Sequence, residues 1–157
     1  MIKVKVEYIN IPNKTGKDYF VYTNFEVDGH AQKVGYDNNI KVCAGVSACC
    51  YGINRLIDPE QFTLEYGIGH FRCYTERTKN LRKTLDHDSV YALNTLLAQL
   101  YEIYCKYPNA FESFEIIDVK ERYENYEQNE RKYTKSRRTK NKLDLNCLIK
   151  SPFDQEN

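Results

Sequence analysis

The chain has 157 residues, with 23 Lys and Arg against 22 Asp and Glu, for a net charge of +1. That length points to one domain with room for an appendage, and to a core large enough to fold without disulfides or a metal. The charge balance excludes a protein that coats nucleic acid over its whole surface, and no apolar run approaches the ~18 residues of a membrane-spanning helix. Met1-Ile2-Lys3-Val4-Lys5-Val6 alternates charge with hydrophobe and carries no signal-peptide core, so the expected compartment is the cytosol, with no membrane contact. The cysteines at 43, 49, 50, 73, 105 and 147 form no CxxC pair and read as reduced thiols.

Ile2, Val4, Val6 and Tyr8 share one parity, the mark of a half-buried strand. Pro12-Asn13-Lys14-Thr15-Gly16 reads as a turn. Val21, Thr23, Phe25 and Val27 again share a parity, so a second strand ends at Asp28-Gly29 and pairs with the first as a hairpin. Residues 30–42 hold Gly, Asp and two Asn without a clear period, and read as a loop. From Cys43 to Ile57 the apolar positions Val46, Cys49 or Cys50, Ile53 and Leu56 or Ile57 fall on one helical face. Asp58-Pro59 stops that helix, because a residue before proline avoids the helical region. Phe62, Leu64 and Tyr66 form a third strand, Gly67-Ile68-Gly69 a hairpin turn, and His70 to Thr75 a fourth strand. The Gly-x-Gly there lacks the third glycine and the following helix of a phosphate cradle.

Residues 76–84 are a charged connection, followed by a long helix from about Asp86 or Asp88 to Lys106. Its core stripe is Val90, Leu93, Leu96, Leu97, Leu100 and Tyr104. The acidic start suits the helix dipole and Pro108 ends it. Phe114 and Ile116 then suggest a fifth strand. The order ββαββαβ implies an α+β fold, a two-layer sandwich of a mostly antiparallel sheet and two helices, over 1–119. Beyond it, 120–157 is a charged extension. Within it Arg131, Lys132, Lys135, Arg137, Arg138, Lys140 and Lys142 fall in one acid-free stretch, which could meet RNA phosphates if it is more than a solvated tail.

The stretch that carries chemistry is Gly29-His30-Ala31, then Gly35-Tyr36-Asp37, then Val42-Cys43-Ala44-Gly45-Val46-Ser47-Ala48. Cys43 is expected in the first turn of its helix, where the dipole favours a thiolate, the nucleophilic form. His30, at the end of a strand, would sit across the loop as proton acceptor and later as acid to the leaving amine. Free N–H groups at Cys43 and Ala44 would hold an oxyanion. Gly29 and Gly35 supply backbone freedom around the loop. Ser47 lies one turn beyond Cys43 and on its face. Spacing alone does not establish the pair. The remaining cysteines read as small apolar packers. A zinc site from Cys49, Cys50, His70 and Cys73 is disfavoured because adjacent cysteines lack ligand spacing. No metal or cofactor is expected. His87, between Asp86 and Asp88, reads as a solvated ion pair.

The string G-H-A, a short Gly- and Asp-containing loop, V-C-A-x-V-S-A, and Asn54-Arg55-Leu56 at the helix end resembles the ribosomal-processing cysteine protease (Prp) family. Gly69-His70-Phe71 and the Leu-rich helix fit the same pattern, which spans about residues 1–117 in element order and is motif-specific over about 29–56. The resemblance implies a cytosolic, homodimeric cysteine endopeptidase with His30 and Cys43 as its catalytic pair. It also implies a substrate protein, ribosomal or phage structural, that loses a short N-terminal leader after an aromatic residue. The family usually has Asp three residues before the cysteine. Here that place is Ile40, and Asp37 lies six before, where it could fill the acidic role from a longer loop. That departure keeps an alternative open, a non-catalytic module of the same fold that binds a leader peptide or RNA.

Overall fold

The computed structural model describes residues 1–12, 18–75 and 87–119. Five strands, β1 (Ile2–Pro12), β2 (Asp18–Asp28), β3 (Thr63–Gly67), β4 (His70–Tyr74) and β5 (Phe111–Asp118), form one sheet in the order β3-β4-β2-β1-β5. Two helices, α1 (Tyr36–Gly52) and α2 (His87–Lys106), complete the order ββαββαβ. The expected α+β sandwich is present. The β1–β2, β2–β4 and β3–β4 pairs are antiparallel, whereas β5 joins β1 in parallel. That parallel pairing follows from α2, which carries the chain from the β4 side back to the far side of β1 so that β5 runs in the β1 direction.

The period-two patterns map onto burial along most of β1 and the end of β2, but a register shift at Glu7 and Tyr8 breaks the β2 parity, so that Tyr22 joins the main core and Val21 packs with Ile9 and Val119 in a second cluster. Ile2, Val4 and Val6 on β1, Phe25 and Val27 on β2, and Phe71 and Cys73 on β4 face the core. Leu93, Leu96, Leu97 and Leu100 of α2 are fully buried against them. Burying each such Leu contributes roughly 1.5–3 kcal/mol relative to exposure. Val46, Cys50 and Val42 anchor α1 to the same cluster. At the other end of the stripe, Tyr104 packs edge-on against Phe111 and lies tilted beside Phe114, with centroids 5.4 and 5.1 Å away. Buried Tyr22 donates its hydroxyl hydrogen bond to Asn94 of α2, so its polar tip has a partner under the helix.

The first helix departs from the sequence reading. It begins at Tyr36, so residues 36–42 are helical rather than loop, and it ends at Gly52, with a separate 3-10 turn over Asn54–Leu56. Asp, Asn and Gly suggest a loop because they compete for backbone groups, but they do the same work at a helix start. The Val34 N–H donates to Asn39 Oδ1 at 3.3 Å and the Asn38 amide donates to the Val34 carbonyl at 3.1 Å. Gly35 caps the helix, with its carbonyl accepting the Asn39 N–H at 2.8 Å. The expectations for Pro12–Gly16 beyond the strand, for the side chain of His87, for Cys147 and for the basic run 131–142 fall outside the described residues.

Candidate active site

β2 ends at Asp28, and the chain leaves the sheet through Gly29 to His30. Gly29 has φ +91°, and a Cβ there would collide with the Met1 carbonyl, so only glycine makes this exit. Its N–H donates to the Gly69 carbonyl at 2.8 Å, joining the end of β2 to the start of β4. His30 is thereby held beside the middle of α1. Its Nδ1 lies 4.0 Å from Cys43 Sγ. The Ala31 N–H donates to the same sulfur at 3.1 Å. A thiol, an imidazole and a backbone donor therefore meet at one point.

Cys43 reaches this point from the eighth position of α1, not from its first turn. In an i→i−4 ladder the N–H groups of Cys43 and Ala44 are directed at the carbonyls of Asn39 and Ile40. Neither is free for an oxyanion, and the dipole effect expected of a terminal turn fades before residue 43. The backbone donor at the sulfur is Ala31 instead. Ser47 and Ala44, one turn on and the next residue, line the groove with Cys43 and His30. The residues one turn before Cys43 on its own face are Asn39 and Ile40. Asp37 and Gly35 lie at the helix start, Asp37 exposed in the first turn.

The groove is flanked by large apolar side chains left in solvent. Ile68, at the tip of the β3–β4 hairpin, is 96% exposed, and Tyr36 is 80% exposed. Ile40, Tyr51 and Tyr66 are exposed as well, with Tyr51 and Tyr66 in edge-to-face contact at 5.6 Å. Beneath Cys43 and His30 a recess between α1 and the sheet is lined by Ile2, Val27, Val46, Cys50 and Phe71. Sequence reasoning passed over Ile68, Tyr51 and Tyr66. The available signal was an isoleucine between two turn glycines, a place with no core to face.

The other thiols divide by burial. Burial pushes the Cys50 and Cys73 thiols up to about 12 from an ordinary 9.0, and raises Cys49 in the same direction. Cys105 is exposed, contrary to its reading as a core packer. The grouping of Cys49, Cys50, His70 and Cys73 does not assemble, because strand alternation puts Cys73 in the core and His70 on the opposite, open face of the sheet. There His70 Nδ1 pairs with Asp28. Glu26 stands beside them, the three ligand atoms lying within 4.8 Å of one another. Arg72 of β4 and Lys5 of β1 are the register neighbours of Glu26. Among the described residues no helix is long and apolar enough to cross a membrane.

The structure resembles the ribosomal processing protease Prp from S. aureus, solved with a covalently linked product peptide, at 27% identity and a TM-score of 0.51, covering 74% of this chain and 100% of that one. It is also similar to SMU.848 from Streptococcus mutans, at 15% identity and a TM-score of 0.46, over 74% of this chain and 95% of that one. No protein among the curated sequences matches. The profile of the family described as "Cysteine protease Prp" matches residues 1–112, the span that contains both His30 and Cys43. The chain belongs to the cysteine protease Prp family.

Proposed function

We propose that the protein is a cysteine endopeptidase that removes a short N-terminal leader from a ribosomal protein, or from a phage structural protein with a similar leader, after an aromatic residue. The observation that carries this reading is the meeting of Cys43 Sγ with His30 Nδ1 and the Ala31 N–H in an apolar-rimmed groove. The match to a Prp protease that holds a product peptide supports it.

In this mechanism the substrate lies in the groove with its aromatic side chain against the apolar rim of Ile40, Tyr51 and Ile68. His30 takes the proton from Cys43, and Sγ attacks the scissile carbonyl carbon. The carbonyl electrons move to oxygen, and the Ala31 N–H turns from the sulfur to that oxyanion. Collapse expels the leaving amine, which takes the proton back from His30 and leaves a thioester. A water then gives a proton to His30 and attacks the thioester, and the departing thiolate takes that proton from His30 as the acid is released. The 4.0 Å separation is long for proton transfer, as is common without substrate, and closes as the peptide fills the groove.

The test uses a peptide with an aromatic-containing leader. Wild-type protein cleaves it once after the aromatic residue and Cys43→Ala does not. Absence of cleavage by wild type, or equal cleavage by Cys43→Ala, removes the proposal.

A further inference from the structure

Two residues at one turn of the β3–β4 hairpin touch the candidate site in different ways. Ile68 stands at the groove, whereas Gly69 lies directly behind the His30 ring. A Cβ on Gly69 would come 2.8 Å from His30 Cε1 and 3.1 Å from Cδ2, and closer still to Nε2. Cβ atoms do not approach ring atoms this closely, so the imidazole occupies the space that any other side chain at 69 would fill. Gly69 also has φ +68°, and its carbonyl accepts the Gly29 N–H at 2.8 Å, one residue before His30 in the chain. The Asp28–His70 pair lies beside this bond on the open face. The hairpin turn is thus bonded to the backbone that carries His30 and is packed against its ring.

We propose that Gly69 is a positioning residue that sets the place of the His30 imidazole relative to Cys43 Sγ, through the absence of its side chain. The proposal deepens the reading of Cys43 and His30 as the catalytic pair and rests on it. With Cβ present the ring must move by an ångström or so, and displacement on that scale costs about 10²-fold in rate. The loss falls chiefly on kcat, because the group displaced is the base itself.

Gly67 of the same hairpin is the internal control, since a Cβ there meets nothing within 4 Å. The experiment compares Gly69→Ala, Gly67→Ala, His30→Ala and the Gly69→Ala/His30→Ala double variant, by leader-peptide kinetics and by thermal melting. The expected result is a kcat about 10²-fold lower for Gly69→Ala, near-wild-type kcat for Gly67→Ala, and no further loss when Gly69→Ala is added to His30→Ala. Melting curves check that each variant is folded at the assay temperature, and the double variant reads the contact even if Gly69→Ala is partly destabilised. A Gly69→Ala enzyme with unchanged kcat, or a Gly69→Ala loss that persists undiminished in the His30→Ala background, overturns the proposal while leaving the catalytic pair intact. Full activity in His30→Ala overturns both.

Discussion

Alkylation of the native protein at neutral pH separates its thiols, and the size of the separation follows from burial. The reacting species is the thiolate, so each unit by which a thiol is raised slows it about tenfold. Cys50 and Cys73 are pushed from 9.0 to about 12 by the apolar surroundings under α1 and β4. Three units correspond to about 10³ in thiolate fraction. Both should therefore react with iodoacetamide about 10³-fold more slowly in the folded protein than in the guanidinium-unfolded chain, before physical shielding is counted. Cys43 lies at the groove with its sulfur beside His30. The assay is a time course of iodoacetamide labelling followed by tryptic digestion and fragment-ion mass spectrometry. Fragmentation is needed because Cys43, Cys49 and Cys50 share one peptide between Lys41 and Arg55. Leader cleavage is measured on the same samples. Activity should fall in step with modification of Cys43, while Cys50 and Cys73 stay unlabelled. Two results would refute the reasoning: Cys50 or Cys73 labelled in the folded state within tenfold of its unfolded rate, or activity that survives complete modification of Cys43.

Three further outcomes are expected. His30→Ala should lower kcat by about 10²–10⁴-fold with little change in KM, the range for loss of a general base, measured with the leader peptide. Ile68→Asp and Tyr51→Ala should raise KM about tenfold with kcat retained, because they remove apolar surface at the groove and leave the thiol and the imidazole in place; an unchanged KM would separate the rim from the substrate. The fold should weaken in alkali. Raised folded-state values mean that the neutral thiols of Cys50 and Cys73 are favoured by folding, so their contribution is complete below pH 9 and is lost as pH rises toward 12. Midway, near pH 10.5, each costs about 2 kcal/mol, and burial of Tyr22 adds in the same direction. Urea midpoints at pH 8 and pH 10.5 that coincide would contradict this.

Leu97→Ala provides a check on the core itself. Its side chain is fully buried on α2, and truncation should cost about 2–5 kcal/mol, read as a lowered urea midpoint at unchanged slope.

The parities of Ile2, Val4, Val6 and Tyr8, and of Val21, Thr23, Phe25 and Val27, were enough to place strands, though not the register shift that sends Val21 to a second cluster, and the Leu93–Leu100 stripe was enough to place α2. Both signals are local, because a side-chain period of two or 3.6 is a property of the backbone conformation itself. His30 and Cys43 were legible as a motif for the same reason, being carried by short strings of sequence. The start of α1 was not legible, since Asp37, Asn38 and Asn39 suit a loop and a helix entrance equally and only their bonds to Val34 and the cap at Gly35 decide between them. Nor could chain order show that β5 pairs in parallel with β1, that His70 faces away from Cys73, or that a glycine at 69 lies behind a histidine at 30. Those are distances between residues remote along the chain, and they exist only once the hydrophobic faces have chosen their partners.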